Sequence, residues 1–139
     1  MARRSDTGEW DLFGGTRKSL EHVHRTLKRE TLEEGNVQLR QYKFVGTYRL
    51  FKARKMYRLG VYRANIRPGL AIKLSPEHSE ARLFTRAQLA GLGLRRELRQ
   101  ILERALDEAK AEAIAARQPG RPKPSRIFPR PPRSLRPRT

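Results

Sequence analysis

Residues 35–76 read GNVQLRQYKFVGTYRLFKARKMYRLGVYRANIRPGLAIKLSP, from Gly35 to Pro76, and their pattern decides the fold expected of the 139-residue chain. Val37 to Val45 is rich in β-branched and aromatic residues. Gly46 marks a bulge or bend, and Thr47 to Ala53 resumes with Tyr48 and Leu50 on one face and Arg49 and Phe51 on the other. Arg54 and Lys55 form the loop tip. Tyr57, Leu59 and Val61 then alternate with Met56, Arg58, Gly60 and Tyr62. Asn65-Ile66-Arg67-Pro68-Gly69 turns the chain, and Leu70, Ile72 and Leu74 alternate with Ala71 and Lys73. The alternation predicts an antiparallel meander of three or four strands, one face apolar and the other basic.

The charge of this stretch is as one-sided as its faces. Between Glu34 and Glu77 there is no acid, while Arg40, Lys43, Arg49, Lys52, Arg54, Lys55, Arg58, Arg63, Arg67 and Lys73 all fall inside it. All four tyrosines, Tyr42, Tyr48, Tyr57 and Tyr62, lie there too, with Phe44 and Phe51. A solvated surface mixes both signs to limit self-repulsion, so cations interleaved with rings point to a polyanion partner. Strand parity turns Phe51 and Tyr62 outward with Arg49 and Arg58, where they would stack bases. Of the formal net charge of +18, this stretch carries +10 and the tail from Arg117 carries +8; the remaining segments are balanced.

Working outward, residues 1–15 read as an arm whose Trp10 and Phe13 pack on the protein's own core in preference to a partner. Leu20, Val23 and Leu27 predict a short amphipathic helix from Thr16, as cap, to Glu34, with Gly35 as the stop. His22 and His24 point to different faces of it, and with His78 they complete no metal site. Toward the C-terminus, Thr85-Arg86-Ala87-Gln88 fits a capping box, and apolar positions from Leu89 to Ala113 keep a helical period broken at Gly91 and Gly93. A long helix covering the apolar face of the sheet is favoured there over a helix-turn-helix at residues 85–102, since the surrounding charge is balanced. Glu97, Glu103 and Asp107 are expected to pair with Arg along that helix.

Residues 117–139 are rich in Arg and Pro, without acids, and are expected to be disordered. Gly120-Arg121-Pro122-Lys123 resembles the core of an AT-hook, and Arg121, Lys123, Arg126, Arg130 and Arg133 join the candidate phosphate contacts.

No cysteine, no Gly-rich phosphate loop and no carboxylate pair placed in a cleft points to catalysis, and no cofactor or metal is implied. The fold expected is α+β: an antiparallel meander packed by a long C-terminal helix and a shorter N-terminal one, in a single domain over residues 16–116. The function expected is a non-enzymatic nucleic-acid binder, DNA favoured over RNA by the AT-hook-like fragment. The alternatives are an RNA-binding component of a ribosome-like particle, or an adaptor that docks a protein through Trp10 and Phe13 or the Pro-rich tail. With no apolar run long enough to span a membrane and no signal peptide, a cytoplasmic chain associated with nucleoid or ribosome is expected.

Overall fold

The computed structural model describes residues 1–117 and residue 120. The elements in chain order are β1 (Ala2–Arg4), β2 (Trp10–Asp11), α1 (Val23–Gly35), β3 (Tyr42–Lys52), β4 (Lys55–Ala64), β5 (His78–Ala81), α2 (Arg86–Leu89) and α3 (Arg96–Ala116). The class is α+β, with antiparallel strands and helices. Arg121, Lys123, Arg126, Arg130 and Arg133, and the expected disorder of the tail, lie outside the described residues.

β3 and β4 form a long antiparallel hairpin whose register runs from Tyr42 opposite Ala64 to Lys52 opposite Lys55. Its two-residue turn places Ala53 and Arg54 at φ 49° and 61°, the left-handed geometry that matches the twist of the flanking strands. The register shifts between Phe44 and Gly46, so Val45 is the extra residue of a bulge. The faces then follow. Val45, Val61 and half-buried Tyr48 meet Leu98 and Ile101 of α3 in the core. On the opposite face the rings of Tyr42 and Tyr62 stand 5.9 Å apart and those of Phe44 and Tyr62 5.5 Å apart, with His24 of α1 5.6 Å from Tyr42. One face of the hairpin thus packs on α3, and the other carries a ring cluster that His24 of α1 joins.

Several expectations need correction. The meander stops at two strands, because residues 70–74 form no strand. That segment instead runs past the end of α1, where Lys73 N–H donates to Gly35 O and Ser75 N–H to Glu34 O, satisfying carbonyls the helix leaves open. The first fifteen residues are not an arm. They supply β1 and β2, which with β5 make a second antiparallel sheet in the order β2-β1-β5, with Ala2 fully buried at its centre. Trp10 packs edge-on against Phe84 at 4.8 Å, and Phe13 against His78 at 5.5 Å, so both rings are used internally. The N-terminal helix begins at Val23 with His22 as cap, seven residues after Thr16, and Leu20 is wholly exposed in the preceding loop. It ends at Asn36, whose φ of 54° suits the left-handed cap that Asn tolerates.

The capping box at Thr85 is formed by both of its reciprocal bonds, Gln88 N–H to Thr85 Oγ1 and Thr85 N–H to Gln88 Oε1. It starts a helix of only four residues. Gly93, at φ 68°, breaks the chain before α3, and Asp107 pairs with Arg86 across the two helices, not along its own. A helix-turn-helix needs a longer first helix than this. No helix of the described residues is long and apolar enough to cross a membrane.

Burial sorts the side chains by energetic weight. Ile101 of α3 is 5 % exposed where it meets the hairpin, whereas Phe51 is 61 % exposed at the hairpin tip. Ile101→Ala is expected to cost about 2–5 kcal/mol in urea unfolding. Phe51→Ala is expected to stay within about 0.5 kcal/mol of the parent.

Candidate active site

The site is built around Arg29, on the side of α1 that faces the loop before it. Its guanidinium donates to Glu21 through Nε at 3.0 Å and Nη2 at 3.1 Å, to Glu30 at 2.5 Å, to Glu33 at 3.2 Å and to Thr16 O at 3.4 Å. One planar cation with five N–H donors thus ties a loop and two helix positions together. Glu21 also accepts from Lys18 N–H and from Thr26 Oγ1. The Arg29 guanidinium first, and then the Lys18 amide, hold its carboxyl down at about 2. Arg29 itself is pushed above its ordinary value, chiefly by Glu21.

Helix geometry places Glu30, Glu33 and Glu34, spaced i, i+3 and i+4, on one face. Glu34 is the buried member, at 6 % exposure, and accepts the Gly14 N–H at 2.7 Å. Burial is the main cause that raises its carboxyl to about 7; the Gly14 bond opposes this, and the charges of Glu30, Glu77 and Asp11 add to it. Gly15 of the preceding loop and Gly35 at the end of α1 lie close against this arrangement. Any Cβ on Gly15 would overlap the Glu30 carboxylate, and one on Gly35 would come within 2.7 Å of the Phe13 ring.

Glu30 and Glu33 share the Arg29 guanidinium, while Glu34 has the Gly14 amide as donor and Asp11 and Glu77 near enough to act on it. Hard oxygen donors of this kind suit a divalent cation such as Mg²⁺ or Mn²⁺. Among the described residues no three acidic or imidazole groups already converge on one point; Arg29 and the Gly14 amide hold the carboxylates in other directions. The donor set suits the ion in chemistry and shares one helix face, and gathering it round an ion requires the carboxylates to turn from Arg29 and the Gly14 amide.

A recess of about 680 Å³ opens beside Asp11, lined by the rings of Trp10, Tyr48 and Phe51 and by Arg3 and Arg4. Trp10 is held by Phe84 on its edge and by the guanidinium groups of Arg3 and Arg82 at 5.8 and 5.6 Å. Rings with adjoining guanidinium groups suit a base joined to phosphates.

The residues singled out from the sequence are distributed differently. Phe51 and Lys52 line the recess. Arg49 lies opposite Arg58 in the hairpin register, and Lys52 opposite Lys55 beside Arg54 at the turn, all exposed. Tyr62 is on the outer face but is packed among His24, Tyr42 and Phe44, not free to stack. Arg67 and Lys73 are exposed in the segment after β4. Arg40, Lys43 and Arg63 gather at the opposite end of the hairpin from its turn, beside Glu112. Glu21, Arg29, Glu30, Glu33 and Glu34 were not foreseen. Their signal in the sequence is the carboxylate triplet directly after Arg29, following Gly14-Gly15, which the even charge balance of residues 1–34 masks.

The NUDIX domain family matches residues 1–108. Among solved structures, the chain is similar to the MutT protein from Methanosarcina mazei Go1, with TM-score 0.69 and 26 % identity over 78 % of this chain and 83 % of that one. It is also similar to a C. elegans Ap4A hydrolase in a binary complex, with TM-score 0.70 and 19 % identity over 80 % and 84 %. A third is the NUDIX domain of Shewanella oneidensis NrtR complexed with ADP ribose, with TM-score 0.63 and 20 % identity over 78 % and 75 %. No curated protein matches the chain in sequence. These findings overturn the expectation of a non-enzymatic nucleic-acid binder with nucleic acid as its partner, and nucleoid or ribosome association falls with it. The basic, ring-bearing stretch that suggested it is the hairpin between α1 and α3.

Glu34 makes the site sensitive to pH in a direction fixed by burial. Its folded value of about 7 lies above the ordinary 4.5, so the fold favours the neutral acid, and that contribution is complete below 4.5 and lost as pH rises through 7. With a chelator present, the parent is expected to lose about 1–3 kcal/mol of stability between pH 5 and 8 relative to Glu34→Gln. Parallel urea titrations across that range measure the difference.

Proposed function

Since the chain belongs to the NUDIX domain family, we propose that it is a hydrolase of phosphoanhydride bonds in a nucleotide substrate, one containing a nucleoside 5′-diphosphate unit. The observation that carries this reading is the carboxylate face of Glu30, Glu33 and Glu34, built within the segment that the family match covers. Two of the similar structures, by name, act on Ap4A or hold ADP ribose, and both molecules join adenosine to a chain of phosphates.

Each group has a part in the reaction. Glu30, Glu33 and Glu34 would hold a divalent cation, which when bound withdraws charge from phosphoryl oxygens and positions the attacking water. Arg29 binds two of these carboxylates, Glu30 and Glu33, while engaging Glu21. Water attacks phosphorus, the bridging P–O bond breaks, and the water proton passes to a carboxylate of the face. The ring-lined recess at Trp10, Tyr48 and Phe51 receives the base, and Arg3 and Arg4 meet phosphate charge at its mouth.

The test is turnover of ADP-ribose, a dinucleoside tetraphosphate and nucleoside triphosphates with Mg²⁺ or Mn²⁺, followed by separation of the nucleotide products. At least one is expected to be hydrolysed. Glu33→Gln is expected to lower kcat by about 10²-fold or more, as loss of a charge-stabilising group does. Absence of turnover across the panel with either ion would refute the reading.

A further inference from the structure

We propose a second binding site, for a small multiply charged phosphate anion, at the end of the hairpin where β3 begins and β4 ends. It is a recess of about 510 Å³ whose charged lining is Lys28, Arg40, Lys43, Arg63 and Glu112, four cations to one carboxylate. Lys28 belongs to α1, but on its helix it projects roughly opposite Glu30 and Glu34, so this site is separate from the carboxylate face. It is also built with a residue outside the family match, since Glu112 lies on the last turns of α3, beyond residue 108. The inference stands independently of the hydrolase reading.

Arg63 is the anchor. Its side chain is 11 % exposed, and its Nε and Nη2 are buried without a hydrogen-bond partner among the described residues. These two nitrogens share one edge of the guanidinium plane, the fork that meets two oxygens of a phosphate at once. Nη2 meets only the Glu112 carboxylate and Nε meets no acceptor among the described residues, which is costly for a buried guanidinium and marks a place made for an acceptor. Glu112 Oε1 lies 2.8 Å from Nη2, in ion-pair contact but off the hydrogen-bonding line, and 2.6 Å from Lys43 Nζ. The carboxylate is 45 % exposed and occupies part of the anion's position as an imperfect substitute. A phosphate anion displaces it, takes both fork donors and gains Lys43 alongside, while Lys28 and Arg40 supply the remaining field. Glu112 makes the site selective, because only an anion of higher charge than a carboxylate competes with it.

Inorganic pyrophosphate is the probe, titrated calorimetrically into the full chain at moderate salt with a chelator present, so that binding through a cation on the carboxylate face is absent. Saturable binding is expected. Arg63→Gln is expected to weaken it by at least about tenfold, and Lys43→Gln by less. Glu112→Gln is expected to tighten it by about three- to tenfold, because the internal competitor is gone. The Lys43 and Glu112 variants alter exposed side chains, so they decide the matter even if Arg63→Gln fails to fold. Binding unmoved by Glu112→Gln and Lys43→Gln would place the anion on the basic tail or another surface and overturn the proposal. So would the absence of saturable binding, or equal binding of sulfate in every variant.

Discussion

The structure depends on the contact between one guanidinium and three carboxylates. Arg29 is only 19 % exposed, and Glu21 and Glu30 beside it are 9 % and 13 % exposed, so these charges are far from the screened condition of a surface pair. Removing the cation would leave acids packed together without compensation, which costs much more than an exposed ion pair contributes. The same contact fixes the loop over residues 16–21 against α1 and frees the next turn of the helix to face Asp11 and Glu77. A helix so rich in acid is tolerated because one of its own residues neutralises the near side, leaving the far side charged.

The hairpin meets α3 on one face and His24 of α1 on the other. Val45, extra in its strand, lets Val61 and Tyr48 meet α3 while Tyr42, Phe44 and Tyr62 keep the opposite face for themselves and His24. Gly60 lies beneath those rings, where a Cβ would come within 3.4 Å of Tyr62. These rings pack on one another, and His24 of α1 joins them. The rings that line the recess are others: Trp10, drawn from the second sheet, and Tyr48 and Phe51 of β3.

Charge was legible as an amount and misleading as an address. The acid-free stretch lacks anions only along the chain; in space Glu112 returns from 69 residues beyond Lys43 to meet it and Arg63, and Glu34 stands just before the stretch. Counting charge by segment therefore described a footprint for a polyanion where the fold makes a hairpin with its own acid at one end. It also hid the triplet after Arg29, whose meaning lies in which acids share a helix face and not in their balance against neighbouring cations.

By itself the sequence determined what short-range physics controls. The alternation of residues 47–62 set the two faces of the hairpin, the Thr85 box set a helix start, the glycines at 91 and 93 interrupted the helical run, and the period after Leu94 set the long helix that covers the core. Those outcomes depend on neighbours within a few residues, where parity, caps and helical spacing act. Only the tertiary structure decided the partner of Ala2, the end of the meander at Ala64, the burial of Glu34 and the meeting of Gly14, Asp11 and Glu77 around it. Each of those depends on contacts between segments tens of residues apart, and a carboxylate acquires its acidity, its orientation and its chemistry from whatever the fold brings against it.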